Sequence, residues 1–131
     1  MLRITLRDGE KAIVNGAVLR AVGRTQIAVE NKVSILRGRE VMRPEEATSP
    51  ARQLYFATML AYIDPAGRAA HQDAVVELLS HVMANLGTDE AREACVRFAN
   101  DLALAEYYKA LGVGRELIAI EDAISNATQA A

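Results

Sequence analysis

A change of hydrophobic period at Ser49-Pro50 limits how this chain can fold more than any other feature of its sequence. Before that point apolar residues alternate with polar ones; after it they recur every three or four residues. In LRITLR the alternation sets Leu2, Ile4 and Leu6 on one strand face and Arg3, Thr5 and Arg7 on the other. Asp8-Gly9 reads as a hairpin turn, and KAIV, AVLRAV, TQIAVE and VSILR follow as short strands. Asn15-Gly16, Gly23-Arg24 and Asn31-Lys32 separate them as tight turns. The pattern predicts an antiparallel β-meander lobe over residues 1–43, a connector over 44–49 and a four-helix region over 50–131, an α+β protein.

The helices are punctuated explicitly. Ser49 is an N-cap with Pro50 at the first helical position, and Asp64-Pro65 repeats the arrangement, so a helix ending near Ile63 is followed at once by another. Val75, Leu79, Val82 and Leu86 form the inward stripe of the second, Gly87 ends it, and Thr88-Asp89-Glu90 starts a third. That helix places Ala91, Cys95, Phe98, Leu102 and Ala105 on one stripe, with a break expected across Leu111, Gly112 and Gly114. The last carries Val113, Leu117, Ile120, Ile124 and Ala127 on a narrow seam. Leu54, Tyr55, Phe56, Met59, Leu60, Tyr62 and Ile63 surround the axis of the first helix, which predicts a buried spine. Arg52 stands in its first turn, against the helix dipole, and a salt bridge to Glu45 or Glu46 is the expected remedy.

Most chemistries lack their residues. At 131 residues the chain suits one domain, or one domain of two lobes. Its single cysteine, Cys95, has no thiol to pair with and reads as a small core residue in a reducing, cytoplasmic protein. The uncharged run from Gln53 to Ile63 is too short for a membrane span, and the first residues show no export signal. No phosphate loop, nucleophile elbow or metal-ligand spacing occurs; His71 and His81, nearly three helical turns apart, cannot share a metal. No nucleophile, base and orienting group assemble, so neither catalytic residues nor a cofactor are expected.

Charge is the more informative property. Net charge is -2, but up to residue 60 ten Lys and Arg face six Asp and Glu, whereas the remainder holds five basic and eleven acidic residues. A basic strand region suits an anionic partner. Arg3 and Arg7 share a strand face, and Arg37, Arg39 and Arg43 alternate near the last strand; if the two rows are neighbours in the sheet they form a surface for phosphates and splayed bases. No Phe, Tyr or Trp precedes Tyr55, so such contacts fall to Arg, Lys and the backbone.

GEKAIVNGAVL (9–19) followed by ATSPARQLYFATMLAYIDP (47–65) resembles the FlbT family of flagellar biosynthesis regulators of alphaproteobacteria. Its most specific part is Arg52, Gln53, Leu54, Tyr55 and Phe56, because no packing rule asks for Arg-Gln ahead of Leu-Tyr-Phe. The resemblance implies a cytoplasmic post-transcriptional regulator that binds flagellin messenger RNA at its 5' untranslated region, with FlaF as counterpart; family members are described as repressing or promoting expression. MLRITLRDGEKAIVNGAVLRAV is also similar to the opening of the carbon storage regulators through Met1-Leu2, Thr5, Arg7, Gly9 and Glu10. That similarity would carry an RNA-contacting role to Ile4 and Arg7, although Leu6 stands where those proteins have a second arginine. The alternative expectation is a protein-binding adaptor or chaperone whose acidic helices hold FlaF or flagellin. Edge strands and the seam of the last helix further predict a homo-oligomer, most simply a dimer.

Overall fold

The computed structural model describes residues 2–130, with side chains as far as Thr128. Met1, part of the Met-Leu start noted above, and Ala131 lie outside the described residues. The chain divides into two compact units that meet at Met42 and Arg43.

The first unit holds five strands: β1 (Leu2–Leu6), β2 (Lys11–Val14), β3 (Ala17–Arg20), β4 (Thr25–Val29) and β5 (Ile35–Arg37). All pairings are antiparallel, as the alternation predicts. The connectivity is not the expected strand-to-neighbour meander, because β1 pairs with β4 while β2 lies between β3 and β5. The cause is the Asn15-Gly16 turn, where both residues adopt positive φ (49° and 87°), the twist of a two-residue hairpin. From that turn a single register runs outward, from Val14↔Ala17 through Lys11↔Arg20 and then from Leu6↔Thr25 to Leu2↔Val29. Residues 7–10 and 21–24 form a kink between the two stretches. Asp8-Gly9 is therefore a bend in one arm of a long hairpin, not the tip of another. Gly9 N–H donates to Ala21 O (2.8 Å), Ala21 N–H to Glu10 O (2.9 Å), and Gly23 N–H to the Asp8 carboxylate (2.8 Å). The kink thus keeps its backbone groups paired. Ile4, Leu6, Ala12, Ile13, Ala21 and Leu36 are buried in this unit. Short 3₁₀ turns follow at Gly38–Glu40 and, in the second unit, Pro44–Glu46.

The second unit contains α1 (Pro50–Ile63), α2 (Arg68–Leu86), α3 (Asp89–Ala103) and α4 (Tyr107–Ala130). Ser49 caps α1 with Pro50 inside its first turn, and Leu54, Tyr55, Thr58 and Met59 are buried, as expected of a spine. Phe56 is only half-buried. α1 packs against α2 and α4, and α3 against α4. Val75, Leu79, Val82 and Leu86 all point inward, and Thr88 caps α3 through a bond from Ala91 N–H (3.1 Å). Three boundaries differ from expectation. Pro65 lies in a turn, and α2 starts only at Arg68, because the Asp64 carboxylate takes the Gly67 amide and the His71 ring (2.9 Å) and so shapes a wider corner. α3 ends at Ala103, so Ala105 falls off its stripe and adopts φ 55° in the connection. α4 runs unbroken through Leu111, Gly112 and Gly114. Gly114 faces Tyr55, where an added Cβ would stand 3.2 Å from the ring, so its lack of a side chain permits the close approach of α1 and α4.

Candidate nucleic-acid interface

Pleating and register together assemble a basic outer face on the β1–β4 ladder. Ile4 and Leu6 point inward, which turns Arg3, Thr5 and Arg7 outward. Across from them, Arg3 meets Ala28 and Thr5 meets Gln26. Arg7 and Arg24 border one open depression of about 500 Å³ together with Thr5 and Asp8. A second depression, of about 330 Å³, is bordered by Arg3, Thr5, Gln26 and Ala28 with Ile4 and Ile27. Further along the same hairpin, Lys11 and Arg20 stand directly opposite each other, and both are exposed.

Like charges set directly across a ladder repel, and opposite charges there stabilise. Here none of the eight Lys and Arg side chains from Arg3 to Arg39 forms an ion pair among the described residues. The carboxylates are engaged elsewhere: Asp8 accepts from Gly23 N–H, Glu10 from Arg7 N–H (2.9 Å) and Glu40 from Arg37 N–H (3.2 Å). This unit has eight basic and four acidic residues, whereas the helical unit has seven and thirteen. Exposed cations that outnumber the acids two to one and form no ion pair with them make a cationic surface.

All five arginines singled out from the sequence are exposed. Arg3 and Arg7 share the face just described. Arg37 lies on β5, whose partner is β2, so the two arginine rows are not on adjacent strands as the conditional sequence argument supposed. The reason is the hairpin register, which gives β1 to β4. Arg39 lies in the 3₁₀ turn, and Arg43, in the helical unit, binds Glu46 through Nε (3.1 Å). The Arg43 backbone N–H (3.0 Å), and after it this side-chain bond, holds the Glu46 carboxyl below the usual range. Arg24, Gln26, Lys11 and Arg20 escaped the sequence argument.

The RQLYF segment has a different job in the geometry. Arg52 does not reach Glu45 or Glu46; its Nη1 and Nη2 donate to Asp122 (2.9 and 2.8 Å), and Nη1 lies 3.5 Å from Glu121. Glu121 also accepts from Ala51 N–H (2.9 Å), so α4 supplies the acid that the start of α1 lacks. Gln53 is exposed, Leu54 and Tyr55 are buried, and Arg115 Nη1 donates to the Tyr55 hydroxyl (3.3 Å). Cys95 is buried, which pushes its thiol up from the ordinary value and makes it inert.

The model of the family described as "Flagellar protein FlbT" matches residues 2–125. The chain belongs to the FlbT family. A flagellum biosynthesis repressor protein FlbT of Caulobacter vibrioides is 34% identical over 122 residues, covering 92% of this chain and 86% of that protein. FlbT relatives of Agrobacterium fabrum (34% over 123 residues; 94% and 83% covered) and Rhizobium leguminosarum bv. trifolii (33% over 125; 95% and 84%) are similar across the same span. No solved structure matches the chain. FlbT membership makes it a flagellar regulator and not an enzyme. Among the described residues no helix is long and apolar enough to cross a membrane, and no group of His, Cys, Asp and Glu is placed to hold a metal.

Proposed function

We propose that this chain is a cytoplasmic post-transcriptional regulator of flagellum biogenesis that binds flagellin messenger RNA at its 5' untranslated region through the β unit. The observation that carries this reading is the hairpin with exposed cations that form no ion pair among the described residues, Arg7 beside Arg24 and Lys11 opposite Arg20. Repulsion between such residues is relieved when a phosphate lies between them, so the surface gains most from a polyanion. Arg3, Arg37 and Arg39 extend the candidate set within this unit, and Arg43, of the helical unit, is a separate candidate. Binding to a flagellin leader and to a shuffled leader over a salt series tests it. Replacing Arg3, Arg7 and Arg24 by Ala is expected to weaken both complexes and to flatten the salt slope by about 0.7 per lost phosphate contact. Unchanged affinity and slope in the folded variant would remove the β unit as the RNA surface.

One observation favours a second reading, a protein adaptor for FlaF or flagellin. An apolar groove of about 450 Å³ runs between α3 and α4, with Ile120 and Ile124 in it and Glu90 and Glu116 beside it. Loss of RNA effects together with FlaF or flagellin binding that is sensitive to Ile124→Glu would favour that role.

A further inference from the structure

The basic face carries a group that phosphate binding does not require. Gln26 lies at the middle of the row, directly opposite Thr5, with Arg3 two residues before Thr5 on β1, Arg7 two residues after it just past the strand, and Arg24 two residues before Gln26. Both side chains are exposed, and neither has a hydrogen-bond partner among the described residues. Their surroundings differ in kind. A guanidinium only donates, whereas a carboxamide presents a donor and an acceptor in one plane, the complement of the adjacent donor and acceptor on a base edge. The unit has no aromatic side chain on which a base could stack, so a base held there needs hydrogen bonds. Room exists on both sides, since the two depressions meet at Thr5.

We propose that Gln26, supported by Thr5, contacts the edge of an unpaired base while Arg3, Arg7 and Arg24 hold the flanking phosphates. The assignment rests on the reading of the β unit as an RNA surface and adds the division of labour within it: arginines fix position, and the amide supplies preference.

The test uses the full chain, as wild type, Gln26→Ala, Thr5→Val and the Arg3→Ala/Arg7→Ala double variant. Probes are oligo(A), oligo(C) and oligo(U), an abasic sugar–phosphate oligomer of the same length, and a flagellin leader, each over a salt series. The wild type is expected to rank the homopolymers unequally. Gln26→Ala should weaken the preferred one by about 5- to 100-fold, the range of a good bidentate base contact, with salt slope and abasic binding unchanged. Thr5→Val should act on the same probe in the same direction, more weakly. The double arginine variant should weaken every probe, abasic included, and lower the slope. A folded Gln26→Ala protein that keeps both affinity and ranking, or a wild type that ranks the homopolymers equally, overturns the assignment while leaving the RNA surface intact. A wild type that binds neither homopolymers nor leader overturns the underlying reading as well.

Discussion

Arg52 occupies the end of a helix where a cation is least welcome, and its environment shows what holds it there. The guanidinium forks onto Asp122 while Glu121 takes the Ala51 amide, so two neighbouring acids on α4 satisfy both the charge and a first-turn N–H of α1 that has no partner within the helix. Bonded first of all by Asp122, Arg52 has its pKa raised, and the Asp122 carboxyl is held below its usual range by the same bond. Arg52→Ala is expected to lower stability by about 1–2 kcal/mol at neutral pH, the scale of a lost charge-assisted hydrogen bond that is partly screened. Arg52→Lys should recover little, because an ammonium cannot bridge two oxygens in one plane. The sign of the pH dependence follows from the depressed carboxyl. Its contribution is complete above the unfolded value and is lost as pH falls through the lower folded value. The difference in denaturation midpoint between wild type and Arg52→Ala should therefore be full at pH 7 and shrink only in acid, below the ordinary aspartate range.

At the scale of elements, the approach of α1 and α4 depends on one glycine and not on its neighbour. A Cβ at Gly114 would press on Tyr55, whereas at Gly112 the nearest contact is the end of Arg115 at 3.8 Å. Gly112→Ala is expected to stabilise by about 0.5–1 kcal/mol through helix propensity. Gly114→Val should destabilise by about 1–3 kcal/mol by overpacking, and Leu54→Ala in the same interface by about 2–5 kcal/mol by leaving a cavity. Thermal or denaturant midpoints that move together for both glycines would contradict this picture. These glycines also show where local sequence rules stop. Two glycines close together read as a break, yet helix–helix packing overrides a propensity cost of that size. Ser49-Pro50, Gly87 and Thr88 were legible because capping is a local matter. Asp64-Pro65 repeats the cap-then-proline pattern of Ser49-Pro50 but spends its carboxylate on Gly67 and His71, a choice set by the corner and not by the dipeptide. The candidate site was half legible for a related reason. Alternation turned Arg3 and Arg7 outward, but their partners depend on which turn centres the hairpin. Counting outward from Asn15-Gly16 instead of closing a turn at Asp8-Gly9 would have placed Gln26 opposite Thr5 and Arg24 near Arg7.

At the scale of the whole molecule, the β unit leaves more apolar surface uncovered than its size can easily bear. It comprises some forty residues, close to the lower limit at which a domain folds without staples, metals or association. Val18 is 64% exposed and Val22 85%, and Leu2 and Leu19 are exposed as well. β3 is an edge strand, and all four of its residues face solvent. An open edge flanked by valines is suited to pairing with another strand, and a second copy offers a self-complementary one around a two-fold axis. We therefore expect a dimer through this region, seen as twice the chain mass in sedimentation or light scattering at micromolar protein and dissociating on dilution. Val18→Lys places a charge beside its own symmetry mate and should shift the equilibrium to monomer with the far-ultraviolet spectrum unchanged. Ile124→Glu, in the groove of α4, should leave the mass alone. The reverse pattern would move the interface to the α4 seam, and a monomer mass at every concentration would leave the exposed valines to a different partner.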